Sequence, residues 1–350
     1  MRGSAVFRTG IAPGGALAGP WVRNPLWTRA RAVPSLDLRF ADNKSLTDAV
    51  TGASLITFTR ASSGTFVDSA GVLQTAATDA PRFDHNPTTG ESLGLLVEEA
   101  RTNLLLNSAT LSTQSVTVAA AANTLSFYGT GTVTLTGVST AGPLVGTGTN
   151  NRVSLTFTPT VGVLVLTVSG SVTNAQLEAG AFPTSYIPTT TAAATRSADV
   201  ASIDGSAFTS FYNQSEGTFF VDAAEPPAYV AFQAYLTLQG ASNLDEIRMW
   251  RTGATTINCN HLLNNVSQGT VSATSNLIAN RFAHSYSVAQ GIASSANGGS
   301  NVQATLTSTI PTTVLRIGAR PTASFYGNRT YKRIIFWPQA LPSRLQALTQ

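Results

Sequence analysis

The chain has 350 residues, of which 43% are hydrophobic and 11% charged, with a formal net charge of +4 and one cysteine, Cys259. The length excludes a single small domain, the lone thiol excludes an internal disulfide, and the apolar share is too high for a disordered chain. Charged residues are far below the roughly 25% of ordinary soluble domains. This composition predicts ordered strands whose outer faces carry Ser, Thr and Asn.

Residues 1–35 are predicted to form an extended basic arm, because Gly and Pro interrupt any regular element there and no acidic residue precedes Asp37. Trp and Arg are enriched where a partner protein buries them. The arm is therefore a candidate anchor to a neighbouring subunit, and a flexible terminus is the alternative. The candidate anchoring residues are Arg2, Arg8, Trp21, Arg23, Trp27, Arg29 and Arg31.

After the arm, basic and acidic residues are nearly equal in number. Such a body has little field with which to attract nucleic acid or anionic lipid, so we expect no nucleic-acid partner. No apolar run approaches the roughly 18 residues of a membrane span, and the first residues lack the continuous apolar core of a signal peptide. We therefore expect neither membrane insertion nor secretion.

The next region, 36–106, is predicted to be rich in β-hairpins, with short strands at 55–60, 64–67 and 72–75 separated by turn residues. A Pro-Thr-Thr-Gly turn at 87–90 precedes the run Gly-Leu-Leu-Val-Glu-Glu-Ala-Arg-Thr-Asn-Leu at 94–104. Two extended segments are expected on either side of that turn.

Alternating polar and apolar residues between 107 and 195 predict a compact β-sandwich. The remaining region, 196–350, contains further strand patterns separated by Gly, Asn and Ser turns. It ends with a strand, a proline and one short helix that places Leu341, Leu345 and Leu348 on one face.

Three blocks resemble bacteriophage virion proteins of the tail-fibre or head-spike type, and they occur in the order found there. The first is the turn and run at 87–104. The second, at 176–189, resembles the end of a carbohydrate-binding-like sandwich. The third, at 327–348, resembles the closing strand and helix of a concanavalin A-like, or laminin-G-like, sandwich.

The resemblance implies an all-β fold of tandem antiparallel β-sandwiches that follow the extended N-terminal arm. It places a carbohydrate-binding-like sandwich at 107–195 and a concanavalin A-like jelly roll at 196–350. It also implies a virion structural protein, assembled in the host cytoplasm, that binds host surface polysaccharide during adsorption and other virion proteins through its arm. A homotrimer is expected because phage fibres are commonly symmetric and sandwich edges need protection.

Two other functions remain open: a purely structural tail, baseplate or capsid component, and a polysaccharide depolymerase. Glycosidases need two carboxylates across the scissile bond, but Glu98–Glu99 and Asp245–Glu246 are adjacent pairs whose side chains point to opposite faces of a strand. We therefore expect no enzyme, and interpret Glu98 and Glu99, which lie beside Arg101, as partners in a local ion pair or in hydrogen bonds with the backbone.

No metal or cofactor is expected, because His85, His261 and His284 lack metal-ligand spacing. Oxygen groups at 84–91 loosely match a calcium loop, but the final glutamate is missing. An Asx turn at Asn86 is the favoured interpretation.

Lectin sites combine an aromatic platform with polar groups, because sugar rings have apolar faces and hydroxyl edges. The candidate glycan-binding residues in the last region are Trp250, Tyr235, Tyr286 and Tyr326. For each of them, a place in the hydrophobic core is the alternative.

Overall fold

The computed structural model describes residues 24–224, 228, 232–275, 279–320 and 325–350. The architecture is all-β, as predicted, with antiparallel pairing between neighbouring strands. The elements up to residue 106 are α1 (Pro25–Ala30), β1 (Leu36–Leu38), α2 (Phe40–Asn43), β2 (Thr57–Thr59), β3 (Gly64–Val67), β4 (Leu73–Ala76), β5 (Phe83–His85), β6 (Ser92–Val97) and β7 (Arg101–Asn103).

The middle of the chain forms strands alone. They are β8 (Gln114–Val118), β9 (Asn123–Gly129), β10 (Thr132–Gly137), β11 (Leu144–Val145), β12 (Gly148–Phe157), β13 (Gly162–Ser169), β14 (Val172–Ala179) and β15 (Ala194–Arg196).

The last part adds strands and three short helices. The elements are β16 (Val200–Asp204), α3 (Gly205–Phe211), β17 (Glu216–Ala224), β18 (Gln233–Gln239), β19 (Glu246–Gly253), β20 (Thr256–Leu263), β21 (Val266–Thr274), β22 (Ala279–Ser287), β23 (Gly291–Ala296), β24 (Val302–Ala304), β25 (Val314–Ile317), β26 (Arg329–Trp337), a 3-10 helix (Pro342–Arg344) and α4 (Leu345–Thr349).

The larger sandwich consists of two facing sheets. An eight-stranded sheet has the order β24-β23-β22-β17-β26-β6-β5, with β1 also paired to β26, and a seven-stranded sheet has the order β2-β16-β25-β18-β19-β20-β21. Alternate side chains of both sheets meet in one core, where Phe219, Met249 and Phe336 are fully buried. The two-residue period of a strand explains why these positions alternate with polar ones.

Residues 36–106, predicted as a hairpin-rich region, contain the hairpin β3–β4 and the pair β5–β6. Strands of this region also extend both sheets of the larger sandwich. Leu36 pairs with Phe336, Val97 pairs with Arg329, and Thr59 pairs with Val200. The core of the larger sandwich is therefore built from both ends of the chain.

Strands β8 to β14 form the smaller sandwich, and Leu105 before them also belongs to its core. This sandwich packs a four-stranded sheet, β11-β10-β13-β8, against a three-stranded sheet, β12-β9-β14. Leu125, Leu135 and Leu166 are buried between the two sheets. Strands β7 and β15 pair with each other at its base, where the chain enters and leaves this sandwich.

Residues 24–32, predicted as part of the extended arm, contain a helix that packs on the outer face of the eight-stranded sheet. Pro25 occupies the first turn of α1, where a missing N–H costs nothing. Ala30 is buried with Trp337 and Leu345, and the Trp337 indole donates to the Ala32 carbonyl at 3.0 Å. Apolar contact with the sheet is the reason for the difference from the extended prediction.

The predicted C-terminal helix is present as α4, with Leu345 and Leu348 fully buried against the eight-stranded sheet. No helix among the described residues is long and apolar enough to cross a membrane.

The run at 94–104 joins the two sandwiches through a buried network of charges. Glu98 lies 2.9 Å from Arg82 and 3.0 Å from Arg196. Asp199 lies 3.1 Å from Arg60 and also pairs with Arg82. Each of these buried charges has an opposite charge beside it, which offsets part of the cost of its burial.

Asn103, at the end of the same run, ties the connecting segment to the smaller sandwich. Its amide donates to the carbonyls of Ala175 and Ile187 at 3.0 and 2.8 Å, and its carbonyl accepts from the Leu105 and Leu177 N–H groups at 3.1 Å each. All four hydrogen-bonding positions of the amide are thereby used.

Candidate functional site

Strand β19 carries Trp250 on the outer face of the seven-stranded sheet. Ile247 and Met249 point into the core, so Arg248 and Trp250 lie on the opposite face. Trp250 remains partly exposed there. The sequence could not decide this orientation, since both faces of the strand carry large side chains.

Three aromatic rings gather around this position, and we call Trp250, Phe232 and Phe325 the aromatic cluster. The Phe232 ring centroid lies 5.0 Å from that of Trp250 and 5.6 Å from that of Phe325. Phe325 meets Trp250 edge to face at 6.1 Å. Phe232 and Phe325 keep 41% and 37% of their surface exposed, so the cluster forms an apolar patch open to solvent.

Both phenylalanines adopt left-handed backbone conformations, with φ of 64° at Phe232 and 58° at Phe325. Bulky residues rarely adopt these angles, which cost free energy and concentrate at binding sites. The Phe325 carbonyl accepts from the Ala234 N–H at 3.0 Å, which holds the segment against β18. Two apolar rings at the surface thus stand on backbone conformations that phenylalanine rarely adopts.

Two arginines border the aromatic cluster. The Arg248 guanidinium lies 5.3 Å from the centroid of the Trp250 ring, and that of Arg320 lies 5.4 Å from the Phe325 ring. Glu246 pairs with both arginines, at 2.9 Å for Arg320. Burial lowers the pKa of Arg248 from its ordinary value, while Glu246 opposes that change. One positive charge is thus left over at the edge of the cluster.

A row of amide and hydroxyl side chains continues from the aromatic cluster across β20 and β21. The Trp250 indole donates to the Asn260 side-chain carbonyl at 2.6 Å, and the Asn260 amide donates to the Thr270 hydroxyl at 2.9 Å. The Ser272 hydroxyl donates to Asn258 at 2.7 Å. Among the described residues, Asn260 retains one N–H and one lone pair for a ligand.

An apolar platform beside fixed amides and arginines can bind a ring that has one apolar face and polar edges. Aromatic rings contact such a face, and the amides exchange hydrogen bonds with its hydroxyl groups. The two arginines can donate to hydroxyl or carboxylate oxygens. Sugars have this combination of surfaces.

Three of the four predicted glycan-binding residues are buried, so their rings cannot form a platform. Tyr235 and Tyr286 are 0% and 1% exposed, and Tyr326 is 8% exposed. Tyr235 accepts a hydrogen bond from Asn280 at 3.0 Å, and Tyr286 donates to the Asn213 carbonyl at 2.6 Å. Core packing decided these positions, and only Trp250 stays at the surface.

The predicted anchoring residues are described only in part: Arg2, Arg8, Trp21 and Arg23 lie outside the described residues. Trp27 donates its indole N–H to Asp37 at 3.1 Å, and Arg29 donates to the Gln350 carbonyl at 2.8 Å. Arg31 is exposed just after α1. Trp27 and Arg29 thus make contacts within this chain.

The adjacent acids form ion pairs. Glu99 lies 2.5 Å from Arg101, which confirms the predicted local pair. Glu98 instead joins the junction network, where burial acts to raise its pKa but Arg196 and Arg82 hold it at about 2. Glu246 pairs with the two arginines at the aromatic cluster.

His261 and His284 meet inside the larger sandwich, 23 residues apart in sequence, with their Nε2 atoms 2.9 Å apart. Burial lowers the pKa of both rings, that of His284 to about 3, so one neutral ring donates to the other. His284 Nδ1 lies 2.9 Å from the Ser294 hydroxyl. The described residues contain no group of three or more His, Cys, Asp or Glu side chains arranged to hold a metal ion.

Asn86 forms the favoured Asx turn, because its side-chain carbonyl accepts from the N–H groups of Thr88 and Thr89 at 2.9 and 3.1 Å. Phe232, Phe325 and Arg320 were missed by the sequence analysis. Each lies just outside a strand, where neither alternation nor spacing indicates an exposed aromatic cluster.

No family model and no curated protein matches the chain. Among solved structures, the chain is similar to the CBM40 domain of a Ruminococcus gnavus IT-sialidase bound to α2,3-sialyllactose. The identity is 14%, the alignment covers 39% of this chain and 83% of that domain, and the TM-score is 0.33.

Two other similar structures come from animals. The leech intramolecular trans-sialidase is 12% identical over 42% of this chain and 27% of its own, with a TM-score of 0.34. A SAP-like pentraxin from Limulus polyphemus is 16% identical over 38% of this chain and 68% of its own, with a TM-score of 0.28. All of these similarities are distant, and none assigns a function to this chain.

Proposed function

We propose that the protein is a glycan-binding structural component of a bacteriophage particle, of the tail-fibre or head-spike type, that contacts host surface polysaccharide during adsorption. The observation that carries the glycan-binding part is the aromatic cluster on the outer face of the seven-stranded sheet. An exposed platform of three rings, two of them held at strained backbone angles, is bordered by amides and arginines. Strained backbone conformations of this kind are concentrated at ligand-binding and active sites.

Support for the phage setting comes from the three sequence blocks at 87–104, 176–189 and 327–348. The first block performs a structural task here, since it carries the charges and the amide that join the two sandwiches. A fibre or spike needs such a rigid connection between consecutive modules. In this proposal the protein binds sugar without cleaving it.

The aromatic cluster is tested with the full-length protein on a printed array of bacterial capsular and O-chain polysaccharides. Trp250→Ala removes the central ring, and Val266→Ala is the matched control because Val266 is 62% exposed on the neighbouring part of the same sheet. Binding to at least one polysaccharide that is lost in W250A and kept in V266A supports the proposal. Equal binding by both variants would overturn the assignment to the aromatic cluster.

A purely structural role is the second function from the sequence, and the same array separates it from adhesion. Absence of binding by the unaltered protein to every polysaccharide would overturn the glycan-binding proposal and favour the structural role. Release of new reducing ends from a bound polysaccharide would show cleavage and would overturn the proposal that the protein binds sugar without cleaving it.

A homotrimer is proposed with this function. The edge strands are β5 and β24 in one sheet and β2 and β21 in the other, and natural sheets cover or block such edges. Light scattering across micromolar concentrations checks the assembly: a mass three times that of the chain is expected, and a constant monomer mass contradicts it.

The arm is proposed to hold the protein on the particle through residues 1–23 and Arg31. Residues 24–32 pack on the larger sandwich, so a variant that begins at Asn24 keeps this packing. We expect this variant to be absent from assembled particles, whereas the full-length protein is incorporated. Normal incorporation would contradict anchoring by the arm.

A further inference from the structure

A cleft between the two sandwiches borders the buried charge network, since Glu98 lines it. One cavity of about 320 Å³ is lined by residues of β5, of β9 and β12 in the smaller sandwich, and of β26 in the larger one. A second cavity of about 300 Å³ shares Val67, Leu73, Pro87 and Tyr128 with the first. The two cavities therefore form one continuous groove, at the kind of domain boundary where ligand sites are frequent.

Two residues that line this groove each carry a buried nitrogen atom with no hydrogen-bond partner among the described residues. His85 is 5% exposed, and its Nδ1 lies 3.0 Å from the Val67 carbonyl while Nε2 is unpartnered. Arg152 donates from its terminal nitrogens to Thr184 and Ser126 at 2.6 and 2.8 Å, and its Nε is unpartnered. Buried polar atoms without partners are rare and indicate a missing water or ligand.

Asp84 contributes a carboxylate to the same groove. Its Oδ1 accepts from the Val67 N–H at 2.7 Å, and no ion pair to it is present among the described residues. Tyr128 lies close enough to Asp84 and Arg152 for both to influence the pKa of its hydroxyl. The groove thus offers an acceptor, a hydroxyl and a guanidinium within one small volume.

The rest of the lining fits an uncharged ligand with both apolar and hydroxyl surfaces. Phe66, Leu73, Pro87 and the ring of Tyr186 supply apolar area. Charges of both signs are present, and Glu98 is already neutralised by its arginines, so neither a cation nor an anion is favoured. The titratable and charged groups around Asp84 are Arg82, His85, Glu98, Tyr128, Arg152 and Arg329.

We propose that this groove is a second saccharide site, which takes a neutral oligosaccharide along the two joined cavities. Asp84 accepts hydrogen bonds from sugar hydroxyls, Tyr128 donates one, and His85 Nε2 accepts another. The lining of the groove includes no residue of the aromatic cluster, so substitutions can test the two sites separately. A fibre with two such sites gains avidity on a polymer.

The test uses full-length protein that carries W250A, so that the aromatic cluster is removed. Neutral polysaccharides of the array are the probes, and an oligosaccharide prepared from the best-bound one is titrated by calorimetry. Asp84→Asn keeps the shape of the side chain, and Tyr128→Phe keeps the ring. Asp204→Asn is the matched control because Asp204 is exposed and lies outside the groove.

We expect the W250A protein to bind at least one neutral polysaccharide, with one site per chain. D84N should weaken this binding about tenfold and Y128F several-fold, as the loss of hydrogen bonds predicts, whereas D204N should leave it unchanged. Circular dichroism confirms that each variant is folded.

The affinity for the oligosaccharide should also fall about tenfold between pH 7 and pH 5. Burial raises the pKa of Asp84 to about 6, and the protonated acid accepts hydrogen bonds from sugar hydroxyls less well than the carboxylate does. The D84N protein should lack this dependence.

Loss of all binding in W250A would overturn the groove and leave the aromatic cluster supported. Binding that survives W250A but is equally strong in D84N and Y128F would also overturn it. Binding that survives W250A and is lost in D84N supports the groove, whatever the array shows for the aromatic cluster.

Discussion

The Glu98 carboxylate lies 2.9 Å from the Arg82 guanidinium, and the two side chains are 6% and 0% exposed. Glu98 also accepts from the N–H and hydroxyl of Ser185 at 2.8 and 2.7 Å, which connects β6 of the larger sandwich to the end of the smaller one. A single carboxylate thus links the two modules, and its removal leaves Arg82 and Arg196 without their shared anion.

Glu98→Gln should therefore lower the free energy of unfolding by about 3–5 kcal/mol, the usual effect of breaking a buried ion pair from one side. Guanidinium denaturation measures this. Glu99→Gln is the matched control, since Glu99 is 30% exposed and surface pairs contribute about 1 kcal/mol or less. Equal losses in the two variants would contradict the role of Glu98 at the junction.

Gly94 begins the same run and has a φ of +89°, with the position of a Cβ atom only 1.9 Å from the Tyr331 carbonyl oxygen. Gly94→Ala should push β6 away from β26 and cost about 3 kcal/mol or more. Gly52→Ala is the control, because Gly52 has a φ of +78° but nothing within 4 Å of its Cβ position. Thermal unfolding distinguishes them, and similar melting temperatures would refute close packing at Gly94.

Asp84 is expected to destabilise the protein at neutral pH. Burial raises its pKa in the folded protein from the ordinary 3.8 to about 6, so the stability present below pH 4 is lost as the pH rises through 6. Asp84→Asn should leave stability unchanged at pH 4 and raise it by about 1–3 kcal/mol at pH 7.5. Urea denaturation at pH 4 and pH 7.5 tests this. The same difference in unfolding free energy between the two proteins at both pH values would count against a buried, unpaired carboxylate at Asp84.

The His261–His284 pair should make the protein sensitive to acid. Because the folded pKa values lie below 6.5, the unfolded chain takes up protons first, and stability falls as the pH drops below about 6.5. For each histidine that is neutral in the folded protein and protonated in the unfolded chain, the free energy of unfolding falls by up to about 1.4 kcal/mol per pH unit. His284→Gln should flatten the slope between pH 6.5 and 4.5 in urea denaturation, and an identical slope in both proteins would contradict this account.

Strand patterns and the terminal helix were predictable because they follow from local periodicity. Leu345 and Leu348 are three residues apart on a helix, and both are buried as that spacing predicts. The candidate site was predictable only at Trp250. Tyr235 sits beside a bulge between Ala234 and Leu236, and a bulge changes which face a side chain occupies, so its burial could not be deduced from alternation.

The sequence by itself determined the all-β class and the closing strand and helix, since these depend on the local alternation and spacing of neighbouring residues. Only the tertiary structure decided which residues meet. Asp84, Tyr128 and Arg152 come from β5, β9 and β12, and Phe232 and Phe325 reach Trp250 from opposite sides in sequence. These contacts depend on sheet order and on which sandwich face is left open, and both are set by packing between strands that are distant along the chain.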